Sequence, residues 1–383
     1  MIYLDYAAHT PICEEALGEY IRVERNLVGN GLSSHGFGYA AKSVLDVATD
    51  GIAAMLGIKP EEVIFTSGAS EANNLAIKGI AKNYKQKGMH ILSTCLEHAS
   101  VGGALQYLHG EGFEIELLKI GINGQIDLNN FRQALRKDTI LVCVSVVDSE
   151  LGAIQPIEKM LGVLSDFPNA HLHVDASQAV GKIKLPFISG RAGDATSLQD
   201  HFRISTMSFT PHKFYGPLGI GVLYKKKGVI LEPLIHGSGI NLFRAGTPSP
   251  SLAAACYAAL SFSVNNIQEN HAHVSGLRDY AARKIKSLPG VRMNSPSEAS
   301  PYILNLSIKG KKAKETQEAL NSMGIAVSTK SACQADSAPS RAVFAVTGDR
   351  QNALSSFRVS FGDKTTYDEI NKLLECTTNI CTS

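Results

Sequence analysis

Tryptophan is absent, and aromatic residues make up only 7% of the chain, so the core must be built from aliphatic and alanine side chains. There is no run of about 18 apolar residues, which argues against a helical membrane span. The opening residues Met1-Ile2-Tyr3-Leu4-Asp5 lack both a charged stretch and an apolar one behind it. No signal peptide is therefore read, and a cytoplasmic location is expected. Neither sign of charge dominates, with 37 Lys and Arg against 35 Asp and Glu, so no nucleic-acid partner and no membrane partner is expected. The short basic run Lys225-Lys226-Lys227 follows an apolar stretch and reads as a solvated hairpin turn. No CxxC pair occurs among the seven cysteines Cys13, Cys95, Cys143, Cys256, Cys333, Cys376 and Cys381. Their scatter predicts free thiols in a reducing compartment and no structural metal.

What is present is a chain of 383 residues, long enough for one large domain or two. From about residue 60 to 225, short β-rich runs alternate with helical stretches. Strands are predicted at Val63–Thr66, His90–Thr94, Phe113–Leu118, Thr139–Val147, His171–Asp175, Ser205–Phe209 and Ile220–Tyr224. Helices are predicted at Glu71–Lys85, after His98, at Asp127–Arg136 and at Ile157–Leu164. That alternation implies right-handed crossovers and a mostly parallel sheet covered on both faces, an α/β fold. After Ser251 the texture changes. An Ala-rich helix, broken once, runs to about Leu288. A strand (Ile303–Ile308), a helix (Lys314–Met323), a strand (Phe357–Phe361) and a last helix (Thr366–Cys376) follow, as in a smaller α+β domain.

Four segments carry possible chemistry. In Thr210-Pro211-His212-Lys213-Phe214-Tyr215-Gly216, a lysine follows an apolar strand and precedes Gly-rich backbone. If buried, its amine loses its proton easily and can form an imine; otherwise it is a surface lysine in a turn. In His171-Leu172-His173-Val174-Asp175-Ala176-Ser177-Gln178, an aspartate closes a strand at the carboxyl edge of the sheet, where open α/β sheets place ligands. It can pair with a protonated ring nitrogen or serve as a helix N-cap. The His-x-His pair, with no third partner, is read as metal-free. In Phe65-Thr66-Ser67-Gly68-Ala69-Ser70-Glu71-Ala72-Asn73-Asn74, a strand, a small-residue turn and a helix start make an anion site, or simply an N-cap at Ser70 with Asn73 at N3. In Ser331-Ala332-Cys333-Gln334-Ala335-Asp336, a cysteine sits in a polar, loop-like stretch, where it is a nucleophile or an incidental exposed thiol. Gly36-Phe37-Gly38-Tyr39-Ala40-Ala41 fits a dinucleotide fingerprint, but with no strand before it the match is fortuitous.

Taken in order, these segments resemble the cysteine desulfurases of the NifS/IscS type, in the class V aminotransferase family. The resemblance spans nearly the whole chain, from Tyr3-Leu4-Asp5-Tyr6-Ala7-Ala8 to Phe357-Arg358-Val359-Ser360-Phe361-Gly362. It implies the fold type I of pyridoxal-phosphate (PLP) transferases. A large domain (13–250) carries a mostly parallel seven-stranded sheet; 1–12 and 251–383 form a small α+β domain bearing the cysteine loop. It implies Lys213 as the Schiff-base lysine, Asp175 as partner of the ring nitrogen, and Gln178 as partner of the ring hydroxyl. His98 is expected to stack on the ring and shuttle protons. Ala69, Ser70, Thr210 and His212 are expected around the phosphate, and Thr247 to reach the phosphate of the neighbouring subunit in a homodimer. Arg358 and Asn30 are the implied substrate-binding residues, and Cys333 the nucleophile that takes sulfur from L-cysteine and passes it to a protein acceptor. The family's usual Asn-Asn-Glu is here Asp148-Ser149-Glu150, which puts Ser149 beside the ring. Lys330 replaces a glycine, and Asn30-Gly31 an Asn-Pro. Gly237–Leu242 is shortened by one residue and lacks an arginine. About ten extra residues fall around Ser197 to Ser205, and the chain stops at Ser383 without the longer tail of IscS-type enzymes. The same cofactor residues would serve a selenocysteine lyase, another class V PLP enzyme, or a weakly active sulfur-trafficking scaffold.

Overall fold

A computed structural model describes residues 1–185, 204–239, 241–329 and 338–382. Cys333, Lys330 and most of the extra segment around Ser197 lie outside the described residues.

A two-residue strand β1 (Ile2–Tyr3) is followed by helices α1 (Glu14–Asn26) and α2 (Gly36–Leu56). The alternating region then runs β2 (Val63–Thr66), α3 (Ala69–Tyr84), β3 (His90–Ser93), α4 (Ala99–Gly110), β4 (Glu114–Leu117), α5 (Leu128–Ala134), β5 (Thr139–Ser145), α6 (Ile157–Leu164), β6 (His171–Asp175), β7 (Thr206–Phe209) and β8 (Gly221–Lys225). These strands form one seven-stranded sheet in the order β2-β8-β7-β6-β5-β3-β4. Only β8 runs against its neighbours, so the expected mostly parallel sheet is found. Its middle strands are buried on both faces. Along β5, Leu141 and Cys143 enter one apolar cluster with α3 and α4, while Val142 and Val144 enter the other. A strand covered twice reads as a continuous apolar run for this reason.

The second part comprises α7 (Pro250–Asn265), α8 (Ile267–Ile285), β9 (Val291–Met293), β10 (Ile303–Ile308), α9 (Ala313–Ser322), β11 (Ile325–Ala326), α10 (Arg341–Thr347), α11 (Arg350–Leu354), β12 (Ser356–Ser360) and α12 (Tyr367–Thr382). The predicted single break in the Ala-rich helix falls at Asn266, between α7 and α8. Strands β12-β10-β9 make an antiparallel sheet, and β1 returns to pair in parallel with β11, Ile2 opposite Ile325. Helix α7 packs on α1 and α2, so the first helices are bound to the start of the second part. The last helix runs past Cys376, with Thr377 and Thr378 hydroxyls donating to carbonyls one turn back.

Two readings need correction. Lys225 is not in a solvated hairpin: it ends β8, is 7% exposed, and its ammonium donates to the Val229 carbonyl at 3.0 Å. The same group lies 4.6 Å from the centre of the Phe243 ring. Ser70 is not an N-cap, because α3 already begins at Ala69 with Gly68 at the cap position. No helix among the described residues is long and apolar enough to cross a membrane.

Candidate active site

A cavity of about 420 Å³ opens beyond the carboxyl ends of β5, β6 and β7. Ala69, Ser70, His98, Ser149, Asp175, Gln178, Thr210, His212, Lys213 and Arg358 all line it. Clefts of about 630 and 1000 Å³ elsewhere contain none of these residues, so volume is a poorer guide here than the convergence of polar groups.

Lys213 ends the single 3-10 turn Pro211–Lys213 just after β7. The backbone reverses at Tyr215, whose φ of 67° is positive without being glycine, an outlier typical of over-determined functional loops. Its N–H donates to Thr10 Oγ1 at 2.6 Å, and its carbonyl accepts from Cys13 N–H at 2.9 Å. The aimed amine donates to the Ala7 and Ala8 carbonyls at 2.8 and 2.6 Å. Burial pushes Lys213 down to about 8, with Arg358 adding to the shift and Asp5 and Asp175 opposing it. A sizeable neutral fraction is then present near neutral pH, as imine formation requires.

Asp175 ends β6. Its Oδ1 accepts from Ser177 N–H at 2.9 Å and its Oδ2 from Asn73 Nδ2 at 2.8 Å. The backbone beyond it is a turn, so the helix N-cap alternative does not apply. Gln178 Nε2 donates to the Ala7 carbonyl at 2.7 Å, and its Oε1 accepts from Lys182 Nζ at 3.0 Å. Lys182 is a second interior amine that sequence reasoning passed over. Burial, helped by the charges of Lys213 and Arg358, pushes it down to about 7. His98 caps α4 by accepting from Ser100 N–H at 3.1 Å through Nδ1. Burial holds it below the ordinary histidine value, with Lys213 in the same direction and Asp175 opposed.

At the other end of the cavity, no side chain among the described residues caps the first N–H groups of α3, which leaves Ala69 and Ser70 at a positive helix terminus. Gly221 passes directly behind, where a Cβ would collide with the Gly68 backbone and Ala69 N. Thr210 donates its hydroxyl to the Ile220 carbonyl at 2.9 Å and faces His212 Nδ1 at 2.9 Å. Burial and Lys213 push His212 down to about 3. Burial raises the Glu71 carboxyl, but Arg244 and Ser67 outweigh it and leave it below the usual range.

Arg358, 4% exposed on β12, donates to Asp5 Oδ1 and to the Ser149 carbonyl, each at 2.8 Å. Among the described residues its buried Nε has no partner, so donors remain for an anion. Asp5, whose other oxygen accepts from Ser328 at 2.8 Å, is a further residue that the sequence reading left without a role. Two expected residues do not line this cavity. Asn30 is exposed, its amide donating to Thr247 Oγ1 at 3.5 Å. Thr247, also exposed, is absent from the cavity lining as well. Cys333 is outside the described residues, although Ser328, shortly before it in sequence, is on the wall. Among the described residues one His/Glu/Glu group has metal-like spacing, His90 with Glu114 and Glu116. It sits away from this cavity, and Arg136 forks onto both Glu114 oxygens.

The Aminotransferase class-V family profile matches residues 2–373. A cysteine desulfurase IscS from Buchnera aphidicola subsp. Acyrthosiphon pisum is 37% identical over 378 residues, spanning 96% of this chain and 90% of that one. Among solved structures, a NifS-like protein has a TM-score of 0.89 at 29% identity, with 100% of this chain and 99% of that chain covered. Another, described as SspA in complex with cysteine, has a TM-score of 0.80 at 28% identity, with 96% and 100% covered.

Proposed function

This chain belongs to the class-V aminotransferase family, in its NifS/IscS branch, and we propose that it is a PLP-dependent cysteine desulfurase that releases L-alanine and carries the sulfur on Cys333 as a persulfide. One observation carries the reading: a buried amine with its pKa lowered to about 8, Lys213, shares a cavity with the doubly hydrogen-bonded carboxylate of Asp175. The residues present fit the cofactor. Uncapped N–H groups at the start of α3 suit its phosphate, the glycine at 221 leaves that turn room, and Asp175 suits its ring nitrogen. When bound, PLP supplies an aldehyde carbon for amines and an electron sink for the bonds around the substrate α-carbon.

The protein's own groups do the rest. Lys213 would hold the cofactor, and its amine, buried and easily deprotonated, would serve as the base for the substrate α-proton. Arg358 receives the substrate carboxylate through the donors that Asp5 and Ser149 leave open, and Asp5 fixes the guanidinium plane. His98, neutral through burial, is suited to hold or pass a proton. The Cys333 thiolate attacks the substrate sulfur: the carbon–sulfur bond breaks, a sulfur–sulfur bond forms, and the carbon gains a proton to leave as alanine. Burial raises the thiol pKa of Cys13, Cys95, Cys143, Cys256 and Cys381, which makes them poor competitors for that role. Thr247 is assigned to the phosphate of a second copy of the chain, making the enzyme a homodimer. A protein acceptor would then take the persulfide sulfur, for iron–sulfur assembly or another sulfur pathway, in the cytoplasm.

The test compares wild type with Cys333→Ala, using cysteine and selenocysteine side by side. Yellow protein, alanine formation from cysteine and loss of persulfide in the variant are expected. Unchanged sulfur release without Cys333 would remove it from the mechanism, and turnover of selenocysteine alone would favour a lyase.

A further inference from the structure

The functional groups of the cavity are tied together from behind by a residue that does not line it. Asn73, one turn into α3, is 0% exposed. Its Nδ2 meets Asp175 Oδ2 at 2.8 Å and Ser100 Oγ at 2.9 Å. Its Oδ1 meets His173 Nε2 at 3.0 Å and the Ser208 hydroxyl.

The direction of every bond in this cluster follows from its ends. Ser100 N–H donates to His98 Nδ1, so that nitrogen is an acceptor and the proton of the neutral ring sits on Nε2. The Ser100 hydroxyl, 2.8 Å away, faces the same acceptor, which leaves its oxygen to receive from Asn73. Both oxygens of Asp175 accept. The Asn73 amide therefore points its NH2 at Asp175 and Ser100, and its carbonyl oxygen accepts from Ser208 O–H and His173 Nε2–H. His173 Nδ1 then accepts from the Thr206 hydroxyl at 2.9 Å. Flipping the amide would set its oxygen against the Asp175 carboxylate and leave two buried donors facing NH2, each change costly in an interior. Burial supports the assignment by keeping His173 neutral, at about 4, with Asp175 opposing only in part.

We infer that Asn73 is a positioning residue whose single NH2 group holds the Asp175 carboxylate in line for the cofactor's ring nitrogen and, through Ser100, ties it to the Nε2–H form of His98. The inference rests on the reading of Asp175 given above. Its consequence is that the ring-nitrogen partner and the proton-handling imidazole are set by one amide, supplied with protons from Ser208 and His173.

The test compares wild-type holoprotein with Asn73→Leu, which has nearly the same shape and can neither donate nor accept, and with Asn73→Ser, which is smaller and too short to bridge both partners. Melting temperature establishes that each variant is folded. PLP affinity is measured by fluorescence, and nitrogen NMR is recorded with ring-15N cofactor and with 15N-histidine. In the variants PLP is expected to bind about tenfold more weakly. The ring-nitrogen resonance should move toward the unprotonated range, with the His98 Nδ1 resonance moving as well. A folded variant that is merely less stable, with ring-nitrogen resonance and PLP affinity as in wild type, overturns the inference. A shifted ring nitrogen with His98 unmoved overturns its Ser100 branch. Wild-type protein that takes up no PLP would instead sink the functional reading on which it stands.

Discussion

Arg358 and Lys213 are held by backbone and side-chain groups from the first eight residues, and both should respond sharply to substitution. Lys213→Ala is expected to keep its melting temperature and lose cysteine turnover by several orders of magnitude, together with the covalent attachment of PLP seen by mass spectrometry. Arg358→Lys keeps the charge but loses the planar fork; KM for cysteine should rise about ten- to a hundredfold, with kcat much less affected, in steady-state kinetics. Glu97 gives a prediction about stability. Fully interior beside Thr94 and Ser145, its carboxyl is raised by burial from 4.5 to about 7. The folded state thus keeps a proton that the unfolded chain releases near pH 4.5, so stability falls as pH rises from there to about 7. The full cost above that window is about 3 kcal/mol. Glu97→Gln should flatten the decline of melting temperature across this window, leaving the part due to Asp148, also raised to about 7 by burial and by Glu150. Parallel wild-type and variant curves would refute it. At this scale the meeting of Lys213 and Asp175 in one cavity was legible in the sequence, because Asp175 closes a strand and Lys213 follows one within a recognisable motif. Asp5, Asn73 and Lys182 were not. Asp5 meets Arg358 across 353 positions and Asn73 meets Asp175 across 102, and no local pattern records such a meeting.

Among the elements, the strands of the large sheet were legible and the first two helices were not. Strand β5 is a mostly apolar run bounded by polar residues, which a window of a few residues resolves. Helix α2 buries Gly38, Ala41, Leu45, Ala48, Ile52, Ala53 and Leu56, a face of mostly small side chains with little contrast to the rest of the helix. It is also capped by His35, whose ring accepts from Gly38 N–H at 3.3 Å, outside the usual Ser, Thr, Asp and Asn signals. The junction between β8 and α3 makes a testable claim. A methyl group at Gly221 must displace the Gly68–Ala69 backbone, so Gly221→Ala should weaken PLP binding at least tenfold while the secondary structure by circular dichroism stays near wild type. Retained affinity would mean that the start of α3 is not the phosphate site.

For the molecule as a whole, the change of texture near Ser251 falls at the start of α7, and nothing local signals that α7 packs back on α1 and α2. The absence of Thr247 from the cavity lining leads to a complementation experiment. In the proposed homodimer, Lys213→Ala and Thr247→Asp subunits, each inactive alone, should regain about a quarter of wild-type activity when mixed in equal amounts, unfolded and refolded together, because half the dimers are then mixed and one of the two sites in each has both native residues. No recovery would place Thr247 in its own subunit's chemistry or outside it altogether. A last consequence concerns the order of synthesis. The carbonyls that receive the Lys213 amine belong to Ala7 and Ala8, and Ala7 N–H is itself fastened to the Ser360 hydroxyl, 353 positions away. The ribosome makes this clasp 353 positions before its anchor. A growing chain can therefore shape its sheet before the carbonyls that receive the Lys213 amine are themselves fastened in place.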